Sequence, residues 1–171
     1  MSRSWRWFAL AAGIVAADQL TKWLVLAYFE NRYPREELTG FFNLVLVFNK
    51  GAAFSLFAQA AGWQTPLLAA FALGAAAIVS VLLVRNPGRG LLCFGLALIL
   101  GGALGNIIDR SLLGYVVDYV LFHTRSWSFA VFNLADAFIT VGAGLVILQE
   151  LIDWRRGDAE GQIDDKPPTD R

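Results

Sequence analysis

The sequence has 171 residues and a formal net charge of zero, with 57% hydrophobic but only 16% charged residues. Soluble domains carry about a quarter charged residues, so this composition excludes an ordinary soluble protein and predicts one that has lipid as part of its solvent. Lys and Arg are scattered along the chain, and we therefore expect no nucleic-acid partner. One cysteine and one histidine are too few for a zinc site, and we expect neither a metal nor another cofactor.

Four apolar stretches approach the length of about 20 residues that a membrane-spanning helix needs. They cover about 7–29, 66–84, 91–108 and 132–154. The sequence therefore predicts a mainly α membrane protein, a single domain over 1–154 with four transmembrane helices. The composition of 155–171, rich in Asp, Arg, Gly and Pro, predicts a disordered cytoplasmic tail.

The first apolar stretch also has features of a cleavable signal peptide, because Arg3 and Arg6 precede it. The apolar character resumes at Trp23, beyond two charged residues, which favours a retained helix. If the four helices alternate in direction, the two termini and the connection between the second and third helices lie on the same side of the membrane. Basic residues are denser in these short segments than in the longer loops on the other side, which predicts that both termini are cytoplasmic. These basic residues are Arg3, Arg6, Arg85, Arg89, Arg155 and Arg156.

The loop after the first helix contains a run of strand-forming residues over 41–48. Asn49-Lys50-Gly51 then offers a turn, and the apolar run 52–56 has the composition of a returning strand. We predict a small extracytoplasmic β cradle over about 40–58, lying on the outer membrane surface.

Asp18 and Lys22 are two charges inside the first predicted helix, where a charge is costly and marks a functional or paired site. Their i, i+4 spacing, with the acid first, is the better order for a helical ion pair. One interpretation is a self-neutralising pair that docks the helix in the bundle, and the other is direct contact with a substrate.

The third predicted helix ends in a glycine-rich segment with polar residues on one face. Gly101 and Gly105 have the spacing that lets membrane helices approach closely, and Asn106 and Arg110 follow one turn apart. Interhelical hydrogen bonding and a supporting role around a catalytic site are both open interpretations of this pair.

The fourth predicted helix begins with Asn133 and Asp136, which share a face at i and i+3. Asp118 is a second acid in an apolar setting, in the preceding loop. If the loop folds back, the two carboxylates meet, share one proton and could hydrolyse a peptide without a metal, Cys or Ser. A structural ion pair with Arg110 is the competing interpretation.

Other peptidase chemistries lack their motifs, because neither Gly-x-Ser-x-Gly nor His-Glu-x-x-His occurs in the sequence. The single histidine, His123, is interpreted as a surface loop residue.

Five segments in order resemble the bacterial lipoprotein signal peptidases, the signal peptidase II family. Together they span nearly the whole chain before the polar tail. The segments are Asp18-Gln19-Leu20-Thr21-Lys22, Asn49-Lys50-Gly51-Ala52-Ala53-Phe54-Ser55, Gly105-Asn106-Ile107-Ile108-Asp109-Arg110, Val117-Asp118-Tyr119 and Phe132-Asn133-Leu134-Ala135-Asp136.

The resemblance implies an aspartic endopeptidase of the bacterial cytoplasmic (inner) membrane, with its site towards the outer face. It implies that Asp118 and Asp136 are catalytic. It also implies diacylated prolipoproteins as substrates, cut before the diacylglyceryl-modified cysteine, with membrane lipid as the other partner. Residues matching positions that line or support the family's site are Asn49, Gly51, Asn106, Arg110, Asn133, Asp18 and Lys22. Lys50 and His123 receive no role.

Both acids lie within one chain, so we expect a functional monomer. A small membrane transporter or assembly factor is the alternative function, since buried acids also relay protons or pair helices. The two differ in one respect: a peptidase needs both Asp118 and Asp136, whereas a proton relay should tolerate loss of the loop acid better.

Overall fold

The computed structural model describes residues 4–51 and 64–164, with only the backbone described for 64–65 and 157–164. Within these residues the chain forms four helices and three strands. In order they are α1 (Trp5–Phe29), β1 (Arg35–Thr39), β2 (Phe42–Asn49), α2 (Gln64–Arg85), α3 (Gly90–Leu113), β3 (Val116–Phe122) and α4 (Leu134–Asp164). All four helices contain a stretch long and apolar enough to cross a membrane. The predicted fold class is therefore confirmed.

Helix α3 lies at the centre of the bundle and packs against α1, α2 and α4. Buried residues make up 61% of its apolar stretch, against 28% or less in the other three helices. The outer helices expose apolar side chains such as Trp23, Phe71 and Ile147, as expected where lipid replaces water.

Glycines bring α3 and α4 into close contact. A Cβ atom at Gly102 would lie 2.4 Å from the carbonyl oxygen of Ala135, and one at Gly142 would lie 2.6 Å from that of Gly95. Small residues allow such backbone approach between membrane helices. The contact at Gly102 places the middle of α3 beside the first turn of α4.

The three strands form one antiparallel sheet in the order β1-β2-β3. Strand β2 pairs with β1 through a tight connection at 40–41 and with β3 on its other side, where Val47 faces Asp118 and Asn49 faces Val116. The predicted strand at 41–48 is therefore present, but the partners that the structure gives it are β1 and β3. The predicted returning strand at 52–56 lies outside the described residues, whereas the residues of the predicted turn, 49–51, lie within them and directly follow β2.

Two helices extend beyond their predicted ends. Helix α3 continues five residues past 108, to Leu113, because no glycine or proline occurs until Gly114, which caps the helix and whose φ of 79° favours glycine. Helix α4 continues to Asp164, where composition predicted disorder from 155. No proline interrupts 155–164, and the first of the terminal prolines is Pro167.

Candidate active site

Asp118 lies in the middle of β3 and is only 2% exposed. Its Oδ1 accepts a 2.7 Å hydrogen bond from the Asn133 Nδ2, and its Oδ2 accepts one of 2.9 Å from the Asn49 Nδ2. The Asn49 Oδ1 in turn accepts the backbone N–H of Gly51 at 2.9 Å, which directs the Asn49 amide group towards Asp118. Two amides therefore fix the orientation of this buried carboxyl group.

Asp136 lies in the first turn of α4, where a negative charge interacts favourably with the helix dipole. Its backbone N–H donates to the Asn133 Oδ1 at 3.0 Å, and its Oδ2 accepts the Asn133 N–H at 3.3 Å. This reciprocal arrangement is a capping box. The Asp136 Oδ1 also accepts a 2.8 Å hydrogen bond from the Asn106 Nδ2 of α3.

Asn106 and Asn133 connect the two acids. The Asn133 Nδ2 donates to the Asn106 Oδ1 at 3.1 Å as well as to Asp118, while Asn106 donates to Asp136. One continuous amide network therefore holds both carboxyl groups, although they come from different elements.

Both acids line a cavity of about 730 Å³ at the end of the bundle where α4 begins. Its other lining residues are mainly apolar side chains of β2, β3, the segment before α4 and the first turns of α4. The polar ones include Asn49, Lys50, Asn106, Arg110 and Thr140. The cavity thus combines apolar walls with two acids, which suits a largely apolar ligand with one reacting polar group.

Arg110 lines this cavity and donates from Nη2 to the Gly51 carbonyl oxygen at 3.3 Å. Among the ion pairs within 4 Å that the structure describes, none joins Arg110 to Asp118 or Asp136. The structure therefore does not support the competing interpretation, in which Arg110 forms an ion pair with these acids. Arg110 instead ties α3 to the segment after β2.

Asp18 and Lys22 form the expected i, i+4 pair, with 2.7 Å between the Lys22 Nζ and the Asp18 Oδ2. Both are buried behind the cavity rather than among its lining residues. The Asp18 Oδ1 accepts the Ala135 N–H at 3.0 Å, and Lys22 donates to the Asn106 Oδ1 at 3.1 Å. These contacts favour the interpretation that the pair docks α1 against α3 and α4.

Asp109 belongs to this network but was not singled out by the sequence. It is 3% exposed, and its Oδ2 lies 2.9 Å from the Lys22 Nζ. The sequence signal that could have found it is a carboxylate one turn after Asn106, on a helix face already marked as polar.

Tyr119 is a second residue that the sequence left without a role. Its hydroxyl donates to the Thr21 Oγ1 at 2.9 Å and accepts the Leu134 N–H at 3.3 Å. It thereby ties β3 to both α1 and the start of α4.

Two residues without an expected role lie at the sheet. The His123 Nε2 is 2.9 Å from the side-chain amide group of Asn43, and the ring is half-buried rather than fully on the surface. Lys50 lies at the cavity edge. In the part of the chain that the structure describes, no group of three or more His, Cys, Asp and Glu side chains is arranged as a metal site.

Burial raises the pKa of Asp118 to about 6 from the usual 3.8, and the nearby Asp136 adds to this rise, while the hydrogen bonds from Asn49 and Asn133 oppose it. A raised folded-state pKa means that the folded protein binds this proton more tightly than the unfolded chain does. Stability from this group is therefore greatest below pH 3.8 and is lost as pH rises to about 6.

We expect the thermal midpoint of the wild type in detergent to fall between pH 4 and pH 6.5 because of this proton. The Asp118→Asn variant should show a flatter pH profile over the same interval, since it has no proton to lose. Differential scanning fluorimetry of both proteins across this range would measure the slopes. Equal slopes would contradict the raised pKa of Asp118.

Comparison with known proteins places this site in context. The family model described as signal peptidase (SPase) II matches residues 10–152. A lipoprotein signal peptidase of Paraburkholderia phytofirmans is 49% identical over 145 residues, covering 85% of this chain and 84% of the relative. The corresponding protein of Ralstonia nicotianae is 48% identical over 153 residues, covering 88% and 86%.

Two solved structures, each described as a bacterial membrane enzyme, have similar folds. One has a TM-score of 0.74 at 24% identity and covers 97% of this chain and 94% of its own. The other has a TM-score of 0.73 at 25% identity and covers 85% and 92%.

Proposed function

The chain belongs to the signal peptidase II family, and we propose that it removes the signal peptide from prolipoproteins by cutting before the diacylglyceryl-modified cysteine. It is a multi-pass membrane peptidase of the aspartic class. The transporter or assembly-factor alternative has no support from this family membership.

The observation that carries the proposal is the single amide network holding Asp118 and Asp136 at one cavity. Burial and the nearby Asp136 both favour the protonated form of Asp118. In the proposed active state the two acids together hold one proton, which supplies one acid and one base without any further group.

In the proposed reaction, the ionised carboxylate removes a proton from a water molecule while the protonated carboxyl group polarises the scissile carbonyl. The water oxygen bonds to the carbonyl carbon and forms a tetrahedral intermediate. The C–N bond then breaks as the amide nitrogen receives a proton from the acid pair, which returns to its singly protonated state. Asp118 and Asp136 supply both roles.

The supporting residues act by orienting these acids. Asn49, Asn106 and Asn133 direct amide N–H groups at the carboxylate oxygens, and rigid hydrogen bonds of this kind keep catalytic groups near their productive geometry. The Gly51 N–H orients the Asn49 amide by donating to its oxygen, and the Gly51 carbonyl oxygen accepts a hydrogen bond from Arg110. Gly51 and Arg110 therefore join the end of β2 to α3.

The position of the cavity supports the choice of substrate. It lies where α4 begins, at one end of the apolar spans, and has mainly apolar walls. A signal peptide is an apolar helix whose scissile bond, next to a lipid-bearing cysteine, would lie at the membrane surface. Such a substrate can reach the acids without leaving the lipid.

We place the enzyme in the bacterial cytoplasmic membrane as a monomer, with both termini in the cytoplasm and the acids towards the outer face. The support is the density of basic residues in the short α2–α3 connection, where Arg85 and Arg89 lie at the opposite end of the bundle from Asp136.

The test compares two synthetic peptides of one prolipoprotein sequence, one diacylated on the cysteine and one unmodified, with purified protein in detergent. We expect mass spectrometry to show cleavage before the cysteine in the diacylated peptide only. An inert protein, or cleavage of both peptides at another bond, would overturn the proposal.

A further inference from the structure

Asp109 is buried near the end of α3, and both oxygens of its carboxylate have partners on other elements, α1 and β3. Its Oδ1 accepts a 2.9 Å hydrogen bond from the Gln19 Nε2 of α1. Its Oδ2 lies 2.9 Å from the Lys22 Nζ, also of α1, and accepts the backbone N–H of Val117 at 3.1 Å. The last contact connects Asp109 to the strand that carries Asp118.

Val117 immediately precedes Asp118 in β3 and is completely buried. On one side of the sheet its position is set by pairing with Phe48 of β2. The chain between Asp109 and Val117 turns through Gly114, so β3 returns alongside the helix that it follows. The Asp109 carboxylate holds β3 against α3 by accepting the backbone N–H of Val117, the residue directly before Asp118.

Lys22 links this contact to the other acid. Its ammonium group contacts Asp109 and also donates to the Asn106 Oδ1, and the Asn106 Nδ2 donates to Asp136. One buried cation is therefore connected through Asp109 to the backbone at Asp118, and through Asn106 to the carboxyl group of Asp136.

The geometry points to Asp109 as a positioning residue of the reaction, which holds the Val117 backbone so that Asp118 keeps its place relative to Asp136. This inference rests on the proposed peptidase function. A displacement of about 1 Å in a catalytic group can cost a factor of about 100 in rate, so the contact matters even though Asp109 lies outside the cavity lining.

A purely structural role is the alternative, in which Asp109 only neutralises Lys22. Two substitutions separate these roles. Asp109→Asn keeps the size of the side chain but removes its charge. Asp109→Glu keeps the charge for Lys22 but moves the carboxylate by about the length of one C–C bond, ~1.5 Å, which displaces the contact with Val117.

The experiment measures kcat and KM for the diacylated peptide, together with the thermal midpoint of each variant. We expect both variants to lower kcat by about 10- to 100-fold, with KM changing by less than about twofold. Asp153→Asn is the matched control, because it makes the same change on an acid paired with Arg89 at the far end of the bundle. It should leave kcat unchanged.

An Asp109→Glu variant with wild-type kcat would overturn the inference, even if Asp109→Asn were thermally destabilised. If neither variant could be obtained as a folded protein, the inference would also be contradicted. Substituting a residue that only positions Asp118 should leave the fold intact. A wild type that does not cut the diacylated peptide would instead refute the proposed function, which distinguishes the two failures.

Discussion

Replacing either Asp118 or Asp136 by Asn is expected to reduce cleavage of the diacylated peptide by on the order of 10³-fold or more. Asn has nearly the same size as Asp but cannot exchange a proton, so either change removes the acid–base pair. The two effects should not add in the double variant, because each single change already disables the pair. The measurement is single-turnover cleavage with purified variants in detergent.

Folding must be checked separately for these variants, because both acids accept hydrogen bonds from buried amides. Asp153→Asn serves again as the control for loss of a carboxylate, since this residue lies about five turns further along α4 than Asp136 and contacts Arg89 instead. If Asp118→Asn stayed fully active while Asp136→Asn did not, the site would use one acid. The pair mechanism would then be wrong.

Replacing Lys22 by Met should have the largest effect on stability. Lys22 is 3% exposed and contacts the carboxylates of both Asp18 and Asp109. Met retains the unbranched side chain but leaves two buried acids without their cation. Removing one partner of a buried ion pair costs about 3–5 kcal/mol, so we expect poor yield and a strongly lowered thermal midpoint.

Arg89→Met is the matched control for this prediction. Arg89 also contacts two carboxylates, those of Glu150 and Asp153, but its side chain is 38% exposed. Ion pairs open to solvent contribute about 0–1 kcal/mol. Equal thermal midpoints for Lys22→Met and Arg89→Met would contradict the view that Lys22 neutralises a buried acid cluster.

Some of the site could be predicted from the sequence because its signals are local. Charged and amide residues such as Asp18, Asn106 and Asp136 stand out within apolar helices, and their spacing along a helix shows which of them share a face. The same reasoning could not assign a partner to Asp109. Its contacts reach back to Gln19 and forward to Val117, at separations of 90 and 8 positions.

Four helices long and apolar enough to cross a membrane could be predicted without coordinates, since apolar length and composition suffice for that conclusion. The matched motifs also identified the family without any coordinates. The position of β2 between β1 and β3, and the one amide network that holds Asp118 and Asp136, became visible in the three-dimensional structure. Hydropathy and helical periodicity are patterns of residues close together in the sequence, so they can be recognised without coordinates. The strand order and the amide network join residues far apart in the sequence, and they depend on how α3 packs against α4 and on which strands pair.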